Sequence, residues 1–93
     1  MRATQRQADK FKRDFGRRVR LLRTRAGISQ EELAKRAELH PTHISQIERG
    51  RRNVWLVTVH SLAIGLDVPA GALFERPTRR AAGASRAASA QGK

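Results

Sequence analysis

Four polar side chains of the kind that bond to base edges stand close together in the middle of this 93-residue chain: Thr42, His43, Ser45 and Gln46. An amide such as that of Gln46 can pair with adenine, and Ser and Thr hydroxyls can bond to either a donor or an acceptor. Ile44 and Ile47 lie three residues apart, which is the spacing of one helix face. The pattern predicts a helix that its isoleucines anchor in a core, with a polar side that is either a solvated surface or a set of groups able to contact base edges.

The charge balance indicates a polyanionic partner. Twenty Lys and Arg residues stand against eight Asp and Glu residues, which gives a net charge of +12. Ten of the positive residues lie in residues 1–26 and four lie in residues 77–93. Although a high charge also favours general solubility, this density on so small a chain is typical of nucleic-acid binding.

An amphipathic helix precedes the polar segment. Phe11, Phe15, Val19 and Leu22 recur at steps of four, four and three residues, so they share one helical face. Gly27 then predicts the end of this first helix, because glycine adopts the left-handed conformation at a helix end without steric cost.

A second helix is predicted to start at Gln30, because Ser29 and Glu32 form the S-x-x-E pattern of a capping box. In such a box each side chain accepts a hydrogen bond from the other residue's backbone N–H. The helix ends near Glu38. Its apolar residues are Leu33, Ala34 and Ala37.

Three further helices complete the predicted all-α fold. The third runs from Pro41, whose missing N–H costs nothing in a first turn, to a stop at Gly50. The fourth runs from Leu56 to Ile64 or Gly65. Its inward residues are predicted to be Leu56, Val59, Leu62 and Ala63. Val68 and Pro69 open a short fifth helix that ends at Phe74.

Composition divides the chain into three parts. Residues 9–76 carry the helical pattern and are predicted to form the folded domain. Residues 1–8 are expected to be a flexible basic N-terminus. Residues 77–93 are expected to be a disordered basic tail of Ala, Ser and Arg. They contain no large apolar side chain whose burial in a core would offset the entropy lost on ordering the segment.

Two short helices joined by about four residues, the second opening with small polar side chains, form the helix-turn-helix pattern. The segments Gly27–Ala34 and Ile44–Asn53 resemble the xenobiotic-response-element family of phage-repressor-type transcription regulators. The segment Thr42–Asn53 is also similar to the controller proteins of restriction-modification systems. The resemblance covers about residues 14–75 and implies a five-helix, phage-repressor-like domain that binds double-stranded DNA and regulates transcription.

The resemblance also implies roles for individual residues. The third helix would face base edges with Thr42 and Gln46, and with His43 and Ser45 close by. The DNA phosphates would be bound by the N-terminus of the fourth helix and by Gln30, Arg49, Arg51, Arg52 and Asn53. Arg23 and Glu48 would form a buried ion pair that links the first helix to the third.

Three residues depart from the family's pattern. Glu38 stands in the turn where the family has Gly, so a left-handed conformation there would cost roughly 1 kcal/mol. Pro41 stands where relatives have a base-contacting polar side chain, and it offers only apolar contact. Trp55 replaces the Ser or Thr cap of the fourth helix, so either Asn53 caps that helix or it begins uncapped.

Spare apolar residues on the fourth helix predict a homodimer. Val57 and Ile64 are seven residues apart on a side that the core does not need, and Trp55 stands next to them. A two-fold contact through these residues and Val68 would place two recognition helices about 34 Å apart on a pseudo-palindromic operator. The alternative is that Trp55 folds onto the core of its own subunit.

Other classes of function find little support in the sequence. No cysteine is present and His40 and His43 have no carboxylate at ligand spacing, so neither a metal nor another cofactor is predicted. No catalytic set indicates an enzyme, no apolar run is long enough to span a membrane, and no effector site is evident. We expect a cytoplasmic, nucleoid-associated bacterial protein. The alternatives are an antitoxin that regulates its own gene and a sequence-independent packaging protein.

Overall fold

The computed structural model describes residues 2–75, which form four α-helices and one 3-10 helix. The α-helices are α1 (Gln5–Arg25), α2 (Gln30–Ala37), α3 (Pro41–Glu48) and α4 (Leu56–Leu66). The 3-10 helix spans Ala70–Phe74, and no strand occurs within the described residues. The all-α class is therefore as predicted, whereas a count of five α-helices is not. The fifth element is a short 3-10 helix, in which the N–H of Ala72 donates to the carbonyl of Pro69 at 2.9 Å, an i+3 bond.

Helix α1 begins at Gln5, earlier than the sequence indicated. Thr4 is its N-cap and forms a complete capping box with Gln7. The Gln7 N–H donates to Thr4 Oγ1 at 3.0 Å, and the Thr4 N–H donates to Gln7 Oε1 at 2.8 Å. Half of the segment expected to be flexible, residues 5–8 of residues 1–8, is thus the first turn of a helix, and Thr4 caps it. The expected tail, residues 77–93, lies outside the described residues.

The predicted capping box of α2 forms only in part. The Glu32 N–H donates to Ser29 Oγ at 3.0 Å, which satisfies one of the N-terminal donors of the helix. The Glu32 carboxylate does not return to Ser29, because it pairs with Arg36 one turn later at 2.9 Å. That guanidinium, helped by Lys35, also lowers the pKa of Glu32.

Two helices end at non-glycine residues with a left-handed backbone. Glu38, after α2, has a φ of 58°, as the sequence predicted for this turn. Asp67, after α4, has the same φ, and the sequence analysis had placed the end of α4 earlier, at Ile64 or Gly65. Gly65 has a different role: a Cβ there would lie 3.0 Å from Leu33 Cδ1, so its lack of a side chain lets α4 approach α2.

The core lies between all five elements. Its largest fully buried side chains are Val19, Leu33, Ile44, Ile47, Leu62 and Leu73. Burial of a side chain of this size contributes roughly 1.5–3 kcal/mol. Glycine also brings α1 onto α3, because a Cβ at Gly16 would overlap the carbonyl oxygen of Ile47 and lie 2.8 Å from that of Glu48.

One residue that was predicted to face inward does not. Leu56 is 84 % exposed, whereas Val59, Leu62 and Ala63 are buried as expected. Leu56 is the first residue of α4, so it lies beyond the end of the core although its spacing from Val59 is helical. Phe11 is also more exposed than its period suggests, because it reaches only the rim, where its ring stacks on Phe74 at 6.1 Å.

Candidate nucleic-acid interface

Helix α3, the predicted recognition helix, is fixed by its inner side. Ile44 and Ile47 are buried to within 1 % of full burial, and Glu48 beside them is 9 % exposed. At the start of the helix, His40 is the N-cap, and its Nδ1 accepts the Thr42 N–H at 3.1 Å. Histidine is not among the preferred N-cap residues, so the sequence gave no sign of this cap. The other side of α3 is left to face solvent or a partner.

A buried ionic network holds the C-terminal end of α3. Arg23 of α1 donates through Nε to Glu48 Oε2 at 2.6 Å and through Nη2 to Glu48 Oε1 at 3.1 Å. Its Nη1 donates to the carbonyl of Ile28 at 2.9 Å, and Gln30 Nε2 donates to Glu48 Oε1 at 3.0 Å. The hydrogen bond to Glu48 raises the pKa of Arg23 despite partial desolvation. The network joins α1, α2 and α3 at a single carboxylate.

The outward side of α3 carries three of the four residues that were predicted to contact bases. Thr42 is exposed, and Ser45 and Gln46 are partly exposed. Arg49 Nη2 donates to Ser45 Oγ at 2.6 Å, and Arg52 Nη1 donates to Gln46 Oε1 at 2.6 Å. Because Arg52 occupies the amide oxygen of Gln46, the amide NH₂ remains as the group that can donate to an acceptor on a base edge.

His43, the fourth predicted residue, lies at the border between this side and the core. Its Nε2 is buried and has no hydrogen-bond partner among residues 2–75. Burial lowers the pKa of His43, and the neighbouring positive charge of Arg52 lowers it further. Both effects favour the neutral imidazole at physiological pH. Because its Nε2 is buried, this atom is not available to a base edge in this conformation.

The residues predicted to bind phosphate fall into two groups. Arg49, Arg51, Arg52 and Asn53 lie on the exposed connection from α3 to α4. Gln30 is the first residue of α2, where it is partly buried and commits one amide hydrogen to Glu48. These two groups flank α3 in the chain, as expected for a recognition helix held between two contacts with the DNA backbone.

Helix α4 begins without a side-chain cap. Trp55 occupies the N-cap position and makes no capping hydrogen bond, so the second of the two predicted alternatives is the one seen. The first N–H groups of α4, next to Asn53, are therefore not satisfied by a cap. Such a helix end favours a phosphate oxygen, both by its free donors and by the helix dipole.

An apolar surface covers the outward side of α4. Trp55, Val57 and Ile64 are 80 %, 74 % and 62 % exposed, so Trp55 does not fold onto the core. Leu56 joins this surface instead of the core. Val68, the fourth residue predicted at a dimer interface, is only partly exposed and packs against the core.

A groove of about 800 Å³ that the sequence did not indicate lies between α1 and α4. Its apolar walls are formed by Phe11, Phe15, Val54, Leu56 and Phe74. Within residues 2–75 no cluster of metal-ligating side chains occurs. None of the helices in this part of the chain has the length and apolar character needed to cross a bilayer.

Comparison with known proteins agrees with this geometry. Residues 14–76 match the model of a family described as a helix-turn-helix domain. The chain belongs to that family. The family and its relatives are transcription regulators rather than enzymes, and the protein is a helix-turn-helix DNA-binding regulator.

Control proteins are among the most similar relatives of the chain. Control protein C.BamHI of Bacillus amyloliquefaciens is 46 % identical over 55 residues, which are 58 % of this chain and 68 % of the relative. Control protein C.MunI of a Mycoplasma species is 38 % identical over 61 residues, 64 % of this chain and 82 % of the relative. The crystal structure of the restriction-modification controller protein C.AhdI from Aeromonas hydrophila superposes with a TM-score of 0.66 at 45 % identity. That match covers 67 % of this chain and 94 % of the other.

Proposed function

We propose that the protein is a regulator of the restriction-modification controller type that binds a specific operator through the outward side of α3. The observation that carries the proposal is the contrast between the two sides of this helix. Ile44, Ile47 and Glu48 are buried, and α1 and α2 both bond to Glu48, so α3 has a fixed orientation. Its other side presents hydrogen-bonding groups with no structural task beyond contacts to neighbouring arginines.

Base contacts are assigned to Thr42, Ser45 and Gln46, with His43 in a lesser role because its Nε2 is buried. The NH₂ group of Gln46 suits the N7 or carbonyl acceptors that purines and thymine present in the major groove. The phosphates are assigned to Gln30, Arg49, Arg51, Arg52 and Asn53, which supply affinity without sequence preference.

A homodimer follows from the apolar surface of α4. Trp55, Leu56, Val57 and Ile64 are all exposed large apolar residues on this one helix and its N-cap, and such groups often mark an interface; Val68 lies at the edge of the surface. A two-fold axis through this surface would set two α3 helices against successive major grooves of a pseudo-palindromic operator. Ile64→Lys should shift the sedimentation of the protein from dimer to monomer, whereas Ala26→Lys, at the exposed end of α1, should leave it unchanged. An Ile64→Lys dimer would exclude this interface.

The main test is to select bound sites from random duplex DNA and then to measure two variants on the selected site and on random DNA. Gln46→Ala should reduce discrimination at one base pair by about 1–3 kcal/mol, because one direct base contact is lost. Arg51→Ala should weaken binding to all sequences alike and lower the salt slope by about 0.9. Equal losses on both DNAs for Gln46→Ala would contradict direct readout.

Arg52→Ala is the matched control for Gln46, because the two side chains are bonded to each other. If Gln46 acts only by holding Arg52, the two variants will have the same effect and the double variant will add nothing. A selected-to-random affinity ratio near one would favour a packaging protein. The similarity to control proteins favours neither packaging nor an antitoxin.

A further inference from the structure

One side of α1 is lined with cations along most of its length. Arg6, Lys10, Arg13, Arg17 and Arg20 follow one another at steps of four, three, four and three residues. At 3.6 residues per turn this spacing keeps them within an arc of about 80°. The arc lies opposite the side that buries Phe15 and Val19, and all five residues are exposed. We call these five residues the cationic stripe.

Within residues 2–75, most charges of the cationic stripe have no acidic partner. Lys10 pairs with Asp14 at 2.9 Å, and Asp9, the other acid of α1, pairs with Lys12 outside the stripe at 3.6 Å. Across residues 2–75 no ion pair is formed by Arg6, Arg13, Arg17 or Arg20. The stripe therefore presents four exposed guanidinium groups, those of Arg6, Arg13, Arg17 and Arg20, and guanidinium groups bind phosphate oxygens well.

The stripe lies beside the loop to which phosphate binding has been assigned. A Cβ at Gly50, the residue before Arg51, would lie 2.9 Å from the Cα of Arg13, so α1 and the loop are in contact there. Lys10 lies one turn before Arg13 in α1, and it lines the groove between α1 and α4 together with Asn53 of the loop. The loop and the N-terminal half of α1 thus form one continuous basic surface.

The N-terminal turns of α1 lie outside the part of the chain that matches the family. The match to the helix-turn-helix family begins at residue 14, whereas α1 begins at Gln5. Arg6, Lys10 and Arg13 fall in the added turns, and Arg17 and Arg20 continue the row inside the domain. The stripe spans about 21 Å of helix, the axial length of about six nucleotides of one strand.

We propose that the cationic stripe is a second phosphate-binding surface, which extends the DNA contact of the loop along α1 without adding base specificity. The partner is the backbone of duplex DNA, because the row is continuous with the loop and opposite in charge to a phosphate strand. The proposal rests on the proposed function in requiring that the loop and α3 face DNA. The expected effect is electrostatic. Binding of the stripe should release counterions from every duplex, whether or not that duplex contains the operator.

The test compares two double variants that each lower the net charge by two. Arg6→Ala/Arg13→Ala removes two unpaired guanidinium groups of the stripe, and Lys35→Ala/Arg36→Ala removes two exposed cations from the end of α2. Alanine favours helix at all four positions, and equal melting temperatures check that both variants fold. Binding to the selected site and to random duplex is measured by fluorescence anisotropy between about 50 and 200 mM salt, the range over which counterion release weakens each phosphate contact about 3.5-fold.

The stripe variant should lower the slope of log K against log salt by about 1.8, so its affinity should fall about 12-fold less than that of the wild type over this range. The same change is expected on both DNAs, and the α2 variant should keep a slope close to that of the wild type. Equal slopes for the two variants, or a loss confined to the selected site, would overturn the proposal. The selected-to-random ratio of the wild type tests base recognition by α3, so the two proposals can fail separately.

Discussion

Removal of the Arg23 side chain should strongly destabilise the fold. In Arg23→Met the Glu48 carboxylate, whose side chain is 3 % exposed, loses two charge-assisted hydrogen bonds and keeps only that from Gln30. Each such bond is worth about 1.5–3 kcal/mol, and the carbonyl of Ile28 loses a bond of the same kind, because its donor is also the Arg23 guanidinium. Partial recovery of solvent by Glu48 reduces the sum, so we expect a loss of about 4 kcal/mol, within the range for broken buried pairs.

A loss of this size is a large part of the stability of a small domain, and it should lower Tm by roughly 16–32 °C. The measurement is thermal unfolding followed by circular dichroism at one protein concentration, because dimerisation would make Tm depend on concentration. Arg25→Met is the control: it removes the same group from an exposed position in the last turn of α1, and it should change stability by less than about 0.5 kcal/mol. An Arg23→Met protein that melts within a few degrees of wild type would refute the reasoning.

Three further changes test separate features of the fold. Glu38→Gly should stabilise the protein by about 1 kcal/mol in urea unfolding, because it relieves a left-handed non-glycine residue; a loss of stability would contradict this. Gly16→Ala should cost about 1–3 kcal/mol, because its Cβ meets the backbone of α3, whereas Gly71→Ala has open space and should be nearly neutral. His43, whose pKa is lowered by burial below its ordinary 6.5, takes up a proton more readily in the unfolded chain. The contribution of neutral His43 to the free energy of unfolding is thus complete above pH ~6.5 and is lost as the pH falls. Between about pH 7.5 and 5.5 the wild type should therefore lose more stability than His43→Gln. Equal losses for the two proteins would mean that another group titrates in this range.

Local rules predicted those features that depend on a few neighbouring residues. The period of Phe15 and Val19 and the first-turn position of Pro41 follow from helix geometry alone, and the structure has them. The pair between Arg23 and Glu48 joins residues 25 apart in sequence, and the resemblance to a family, rather than spacing, pointed to it. The hydrophobic period and the cap residues thus predicted the helices, and the resemblance to a family predicted how the helices pack together.

The features that were missed depend on how the helices cross. Leu56 has helical spacing from Val59, but whether the first turn of α4 reaches the core depends on the position of α1. The need for glycine at residue 16 exists only because α1 touches the end of α3. The contact of Arg49 with Ser45, by contrast, has a spacing of four residues, which could have indicated it. The contact of Arg52 with Gln46 joins a loop residue to α3 across the end of that helix, so no helical spacing predicts it.

The network at Glu48 links stability to DNA binding through Gln30, and a double variant can separate the two. In Arg23→Met/Glu48→Leu no charge is left buried, and apolar replacement of a buried pair is often neutral, so stability should return to within about 1 kcal/mol of the wild type. Gln30, however, loses the carboxylate that fixes its amide at the start of α2. If Gln30 binds a phosphate, the double variant should fold normally and yet bind operator and random DNA more weakly by the same factor, because phosphate contacts carry no sequence preference. Wild-type affinity in the folded double variant would show that the Glu48 contact of Gln30 serves stability alone, and a loss on the operator only would mean that the ionic network orients α3 itself.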